Sequence, residues 1–254
     1  MRKICFLVLV TVCVGMVYGQ NEDNPTDPVA QNKLGIKYSN EKNYTEAVKW
    51  FRKSAEQGYA FGQCNLGSMY LNGHGVTKDY TEAVKWFRKA AEQGNAESQY
   101  NLGFMYYNGY GVTKNYNEVI KWYRKSAEQG DVKSQCGLGL MYVNGHGVTK
   151  DYTEAVKWFR KAAEQGNAEA QCGLGFMYQN GYGVTKDYTE AVKWYRKAAE
   201  QGDAVSQYNL GLMYYNGYGV TQSKERAIEW FKKAARQGDQ VAINDLKKMG
   251  ITSY

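Results

Sequence analysis

All six tryptophans stand at one interval: Trp50, Trp86, Trp122, Trp158, Trp194 and Trp230. The glycines of six Gln-Gly pairs keep the same step, from Gly58 through Gly94, Gly130, Gly166 and Gly202 to Gly238. So do the Met-Tyr pairs that begin at Met69, Met105, Met141, Met177 and Met213. The run from Asn72 to Gly94 is identical to the run from Asn144 to Gly166. A period of 36 residues held this strictly leaves the chain few choices, because a fixed step of about 20–50 residues marks an array of stacked units. One such unit cannot bury its apolar face alone, so its neighbours must cover it.

Inside a unit the apolar spacing indicates two helices. Leu66, Met69 and Tyr70 mark a first helix, A, with Gly67 allowing close approach of its partner. Tyr80, Ala83, Val84, Phe87, Ala90 and Ala91 fall at helical spacing on one face of a second helix, B. Asp79 followed by Glu82 fits a capping box, and Gly94 stands where a left-handed C-terminal cap is wanted. Between the helices, Asn72-Gly73-His74-Gly75-Val76 supplies two glycines for positive-φ turn geometry. One unit is an antiparallel helical hairpin. The repeated Trp, Phe, Ala and Gly read as its core.

The N-terminus differs from everything after it. Arg2 and Lys3 precede an apolar run from Ile4 to Val17, then Tyr18 and Gly19. A positive start, a short apolar middle and a small final residue describe a secretory signal peptide over residues 1–19. The run is shorter than the roughly 20 residues of a spanning helix, so no membrane span is expected once the signal is cleaved. Cleavage after Gly19 removes two basic residues and lowers the net charge from +7 to +5. Residues 20–27 are polar and bounded by Pro25 and Pro28, and read as a linker. The protein is expected to be secreted or periplasmic.

The pattern Leu66-Gly67-x-Met69-Tyr70-x-x-Gly73-x-Gly75-Val76, followed by Ala83-x-x-Trp86-Phe87-Arg88-Lys89-Ala90-Ala91-Glu92-Gln93-Gly94, resembles the Sel-one-like repeat, a longer-looped relative of the tetratricopeptide repeat. The match covers about residues 28–238. It implies an all-α fold, an α-solenoid of antiparallel hairpins stacked into a right-handed superhelix whose concave wall is made by the A helices. The units fall at 28–58, 59–94, 95–130, 131–166, 167–202 and 203–238, with a capping helix within 239–254. The first unit departs from the pattern. Leu34-Gly35 and Trp50-Phe51 are present, but the Gly-x-Gly-Val loop is missing.

Helix B hardly varies between units, whereas helix A varies in chosen columns. One column reads Cys64, Tyr100, Cys136, Cys172, Tyr208, and the next Asn65, Asn101, Gly137, Gly173, Asn209. Two more read Ser68, Phe104, Leu140, Phe176, Leu212 and Leu71, Tyr107, Val143, Gln179, Tyr215. Positions i, i+1, i+4 and i+7 share one helix face. The resemblance implies that this face lines a ligand groove, formed by Tyr100, Asn101, Phe104, Tyr107, Asn108, Phe176, Tyr208, Asn209, Leu212 and Tyr215. Asn108 and its copies are also turn residues before glycine. A protein or peptide partner is implied, and the chain is expected to be a monomeric, noncatalytic interaction scaffold.

Other chemistry finds little support. His74 and His146 occupy a loop slot that holds Tyr110, Tyr182 and Tyr218 elsewhere, so they read as packed rings, and no metal or cofactor is expected. Cys5 and Cys13 leave with the signal, and Cys64, Cys136 and Cys172 are expected as free thiols, being one packed helix layer of about 10 Å apart or more, beyond disulfide reach. The alternative is a weak β-lactam hydrolase or penicillin-binding activity, implied by the cysteine-rich branch of the same family. Here the paired cysteines of that branch are missing, and Ser39-Asn40-Glu41-Lys42 lacks companion motifs. Basic residues are spread along the repeats in Lys/Glu pairs, so no nucleic acid is expected.

Overall fold

The computed structural model describes residues 26–253. The expected signal peptide, residues 1–19, and residues 20–25 of the expected linker lie outside them. Among the described residues there are thirteen helices and no strand. The A helices are α1 (Pro28–Asn40), α3 (Ala60–Asn72), α5 (Ala96–Asn108), α7 (Val132–Asn144), α9 (Ala168–Asn180) and α11 (Ala204–Asn216). Their B partners are α2 (Tyr44–Glu56), α4 (Tyr80–Glu92), α6 (Tyr116–Glu128), α8 (Tyr152–Glu164), α10 (Tyr188–Glu200) and α12 (Lys224–Arg236), and α13 (Gln240–Lys248) closes the series. Each helix packs on the one before it within two compact units that divide at Asp131/Val132. The first unit contains α1–α6 and the second α7–α13. The chain is an α-solenoid.

Local chemistry sets the helix ends. Asp79 Oδ1 accepts the N–H groups of Thr81 and Glu82 at 2.8 and 3.0 Å, and Asn115, Asp151 and Asp187 repeat this cap. Such a side chain is worth about 1 kcal/mol to its helix. The reciprocal half of the expected capping box does not form. Asp79 N–H donates instead to Tyr70 O at 3.0 Å, and Glu82 pairs with Lys85 at 2.9 Å. The backbone of the preceding A helix is thus the better acceptor, and the contact ties the loop to that helix. The A helices after α1 end at left-handed glycines such as Gly73, at φ +73°, whose N–H reaches Met69 O at 2.9 Å.

The second loop glycine answers to packing. A Cβ on Gly75 would collide with the carbonyl of Tyr44, and one on Gly183 with that of Tyr152. The first hairpin has no such loop, and only Glu41–Asn43 join α1 to α2, with Lys42 at φ +60°.

The fully buried rings are Phe51 and Phe87 in the first unit and Phe159, Tyr195 and Phe231 in the second. Each lies beneath the glycine of a Leu-Gly pair. A Cβ on Gly67 would stand 2.8 Å from Phe87, and one on Gly211 would stand 2.6 Å from Phe231. The tryptophans, read from sequence as uniform core, divide. Trp86, Trp122 and Trp194 are buried, whereas Trp50, Trp158 and Trp230 are half-buried. One residue before the buried ring, a tryptophan points about 100° around the helix. It therefore packs beside a neighbouring hairpin: Trp86 joins Phe51, Leu66 and Met69, and Trp194 joins Phe159, Leu174 and Met177. A lysine three residues on covers each ring, from 3.8 Å at Lys233 over Trp230 to 4.9 Å at Lys125 over Trp122.

A polar ladder that the sequence reading did not single out runs through both units. Gln93 Nε2 donates to Gln63 Oε1 at 2.7 Å, and Gln63 Nε2 donates to Ala55 O at 3.2 Å. Gln201 and Gln171 repeat it, with Gln171 reaching Ala163 O at 3.0 Å. Gln63 and Gln99 in the first unit, and Gln171 and Gln207 in the second, thereby bridge the B helices on their two sides. Its signal was present, since Gln63, Gln99, Gln135, Gln171 and Gln207 keep the period.

Candidate functional site

Each B-helix ring is set against an A-helix glycine, and the variable columns of the A helices adjoin that contact on the same helices. In the first unit this side is closed. Tyr100 stacks on Tyr123 at 5.6 Å with 13° between planes and lies 6.5 Å from Phe104. Tyr100, Asn101 and Phe104 are all buried. Tyr107 is half-buried, 5.8 Å from Tyr116 and beneath Lys114 at 5.5 Å. Asn108 is exposed, and its Nδ2 donates to Phe104 O in its own helix at 2.9 Å. Asn72, Asn144, Asn180 and Asn216 bond backward in the same way.

The second unit presents its face differently. Phe176 on α9 is 45% exposed, and its ring lies 5.8 Å from Tyr182, itself 38% exposed. On α11, Tyr208, Asn209, Leu212 and Tyr215 are half-buried. Tyr208 donates its hydroxyl to Asp245 Oδ2 at 3.0 Å and packs 5.4 Å from Phe231. Lys248, bonded to Asp245 at 2.9 Å, and the Tyr208 hydroxyl hold that carboxyl below its ordinary range. The structure thus gathers Tyr208, Leu212 and Tyr215 on one helix beside α9, and leaves Phe176 as the most open ring of the predicted set.

Between α7, α9 and α11 sit the Cys136 and Cys172 thiols and the Glu169 and Asp203 carboxyls. Burial pushes the Cys172 thiol up to about 12, and burial with the nearby Glu169 carboxylate pushes Cys136 well up. Burial also raises Glu169, against the lowering effect of its hydrogen bond with Cys136. Tyr195 is raised by burial and donates its hydroxyl to Gln179 Oε1 at 2.7 Å. These are protonated, unreactive thiols. Cys136 and Cys172 are free, as expected. Cys64 is disulfide-bonded in the full-length chain, whereas the free thiol was expected of the chain without its leader. Cys5 and Cys13 lie outside the described residues. Among the described residues no cluster of three or more His, Cys, Asp or Glu side chains suits a metal ion.

The loop slot holds rings against rings. His74 stacks on Tyr44 at 4.5 Å, Tyr110 on Tyr80, Tyr182 on Tyr152 and Tyr218 on Tyr188, the last three at 4.7 Å. Tyr110, Tyr182 and Tyr218 nevertheless remain exposed. Ser39 is buried in the last turn of α1.

The Sel1 repeat profile matches six consecutive segments, at residues 28–59, 60–95, 96–131, 132–167, 168–203 and 204–239. The chain belongs to the Sel1 repeat family. Sel1 repeat proteins generally act as protein-interaction scaffolds and are typically noncatalytic. The chain is similar to a protective antigen of uropathogenic Escherichia coli with an SLR fold, at 43% identity and a TM-score of 0.81 over 85% of this chain. It spans 47% of that antigen, about half its length. A Sel1 repeat protein from Oxalobacter formigenes is 36% identical with a TM-score of 0.82, over 88% of this chain and 90% of that one. An immunity protein from Pseudomonas aeruginosa, PA5088, shares the fold at 18% identity and a TM-score of 0.52, with 82% of each chain covered. No functionally curated protein matches. No helix among the described residues is long and apolar enough to cross a membrane.

Proposed function

We propose that this chain is an exported, noncatalytic, monomeric scaffold that binds a protein or peptide along its A-helix face, with the exposed part of that face on α9 and α11 making the first contact. Phe176 carries the reading. A large apolar ring left 45% exposed, 5.8 Å from the exposed Tyr182 and outside the buried core, offers rigid contact area of the kind that anchors interfaces. Half-buried Asn209 offers amide groups to a partner backbone. The outer face of the B helices is chemically different. Its Lys–Glu pairs at i,i+3, such as Lys157–Glu154 and Lys193–Glu190, satisfy one another in solvent. Export rests on the leader of residues 1–19.

Site-specific crosslinking tests the face directly. A photoreactive phenylalanine analogue placed at Phe176 or Leu212 should give a discrete adduct in the native compartment, and the same probe at Lys157 or Lys193 should not. Equal labelling from both faces, or none from the A face of a folded protein, would overturn the reading. Fractionation should recover a mature chain beginning at Gln20.

A further inference from the structure

The lysines of this protein fall into three populations. The first lysine of α2, α4, α6, α8 and α10 is paired with a glutamate three residues earlier, at 2.5 to 3.1 Å, and the second stands over the tryptophan of the same helix. Those of the inter-helix loops, Lys150 and Lys186 in the second unit, have no carboxylate within ion-pair distance among the described residues. The adjacent Asp151 and Asp187 direct Oδ1 into their helix caps. Each loop lysine stands over a tyrosine, Lys150 over Tyr152 at 4.9 Å and Lys186 over Tyr188 at 4.7 Å. Those same rings carry the exposed Tyr182 and Tyr218. Tyr182 in turn lies edge-near the exposed Phe176. The rim of the A-helix face is therefore a row of uncancelled positive charges beside open aromatic rings.

We infer that this rim takes an extended acidic polypeptide segment, its carboxylates set on Lys150 and Lys186 and an apolar side chain between them on Phe176 and Tyr182. The inference rests on the A-face reading and names the partner's chemistry. Charge complementarity selects the sign, because the loop lysines lack a carboxylate that a partner can supply. The exposed Phe176 and Tyr182 select the loop side over the unpaired B-helix lysines, Lys161 and Lys197, which lie over half-buried or buried tryptophans. The apolar ring selects a polypeptide over a plain polyanion, since a partner without apolar side chains leaves Phe176 exposed. Geometry suggests a register. Successive packed layers lie about 10 Å apart, and an extended chain covers about 3.3–3.6 Å per residue, so carboxylates three residues apart would meet successive loops.

The probe is a fluorescein-labelled peptide with Glu at every third residue and Phe between, read by anisotropy against the full chain. Controls are its Gln-for-Glu version and a single-stranded oligonucleotide of equal charge. The acidic peptide should bind in a salt-sensitive manner, and the Gln version should bind at least several-fold more weakly. Lys150→Glu/Lys186→Glu should weaken the acidic peptide about tenfold, the scale of two surface charge contacts turned to repulsion. Lys157→Glu/Lys193→Glu, with the same change in net charge on the B face, should leave it within about twofold. Equal losses in the two double variants, no loss in the first, no binding of the acidic peptide, or equal binding of the oligonucleotide would overturn the inference. A partner that crosslinks at Phe176 yet is indifferent to Lys150→Glu/Lys186→Glu would sink it while leaving the A-face reading intact.

Discussion

At Gly175 the backbone of α9 rests on the Tyr195 ring, where an added Cβ would stand 2.7 Å from the ring carbon Cδ1. Tyr195 cannot retreat, because it is fully buried and its hydroxyl is bonded to Gln179. Gly175→Ala is expected to cost about 1–3 kcal/mol in urea unfolding, the cost of overpacking a filled core. Gly166→Ala meets nothing within 4 Å but holds φ at +92°, and should cost only about 1 kcal/mol of backbone strain. The thiols give a second residue-scale expectation. With Cys172 raised from 9.0 to about 12, its thiolate is scarce at pH 8, and iodoacetamide should label it and Cys136 far more slowly in the folded than in the urea-unfolded chain. The sign for stability follows from linkage. A raised folded value means the Cys172 contribution is present below 9.0 and is lost as pH rises through about 12. Chemical unfolding followed from pH 8 upward should show stability falling, with the fall reduced in Cys172→Ser.

At the scale of elements, hairpins are locked together by the glutamine ladder as well as by apolar contact. Gln171 is 4% exposed, accepts from Gln201 and donates to Ala163 O. Gln171→Leu would strand a buried carbonyl and a glutamine amide, and should cost about 1–3 kcal/mol by equilibrium unfolding. Gln171→Glu should be at least as damaging, because a carboxylate cannot donate to Ala163 O. The helices and the hairpin were readable from sequence because a helix face repeats its apolar spacing locally. Which face is open was not. Spacing placed Tyr100, Phe104 and Phe176 on one side of an A helix, but exposure depends on what the neighbours supply. Phe104 has Tyr100 four residues earlier, stacked on Tyr123, and is buried; the same slot before Phe176 is Cys172. Arg88 likewise answers to a non-local partner rather than to Glu92 four residues on, reaching across to the hydroxyl of Tyr106 at 2.7 Å.

At the scale of the whole chain, the repeats make a prediction no single contact makes: one can be removed. In a stacked array each repeat touches only its neighbours, so stability is close to a sum of repeat and interface terms. Within the second unit α8 and α10 differ in sequence only at Phe159 and Tyr195. Deleting residues 168–203, one complete Sel1 repeat, would bring α8 to α11 and offer α11 nearly the surface it now meets on α10. Gln207, which donates to Ala199 O at 3.1 Å, would find the equivalent carbonyl of Ala163. Phe159 would lie under Gly139 as before. The Val205 side chain would fall in the slot of Glu169, removing a carboxyl that burial disfavours. The shortened chain is expected to keep its mean residue ellipticity and a cooperative transition, with an m-value reduced in proportion to the surface lost. It would also lose Phe176 and Tyr182 together, and with them the crosslink from Phe176. Non-cooperative melting would show that the repeats depend on contacts beyond their neighbours. A folded deletion protein that captured the partner undiminished would move the binding surface to another repeat.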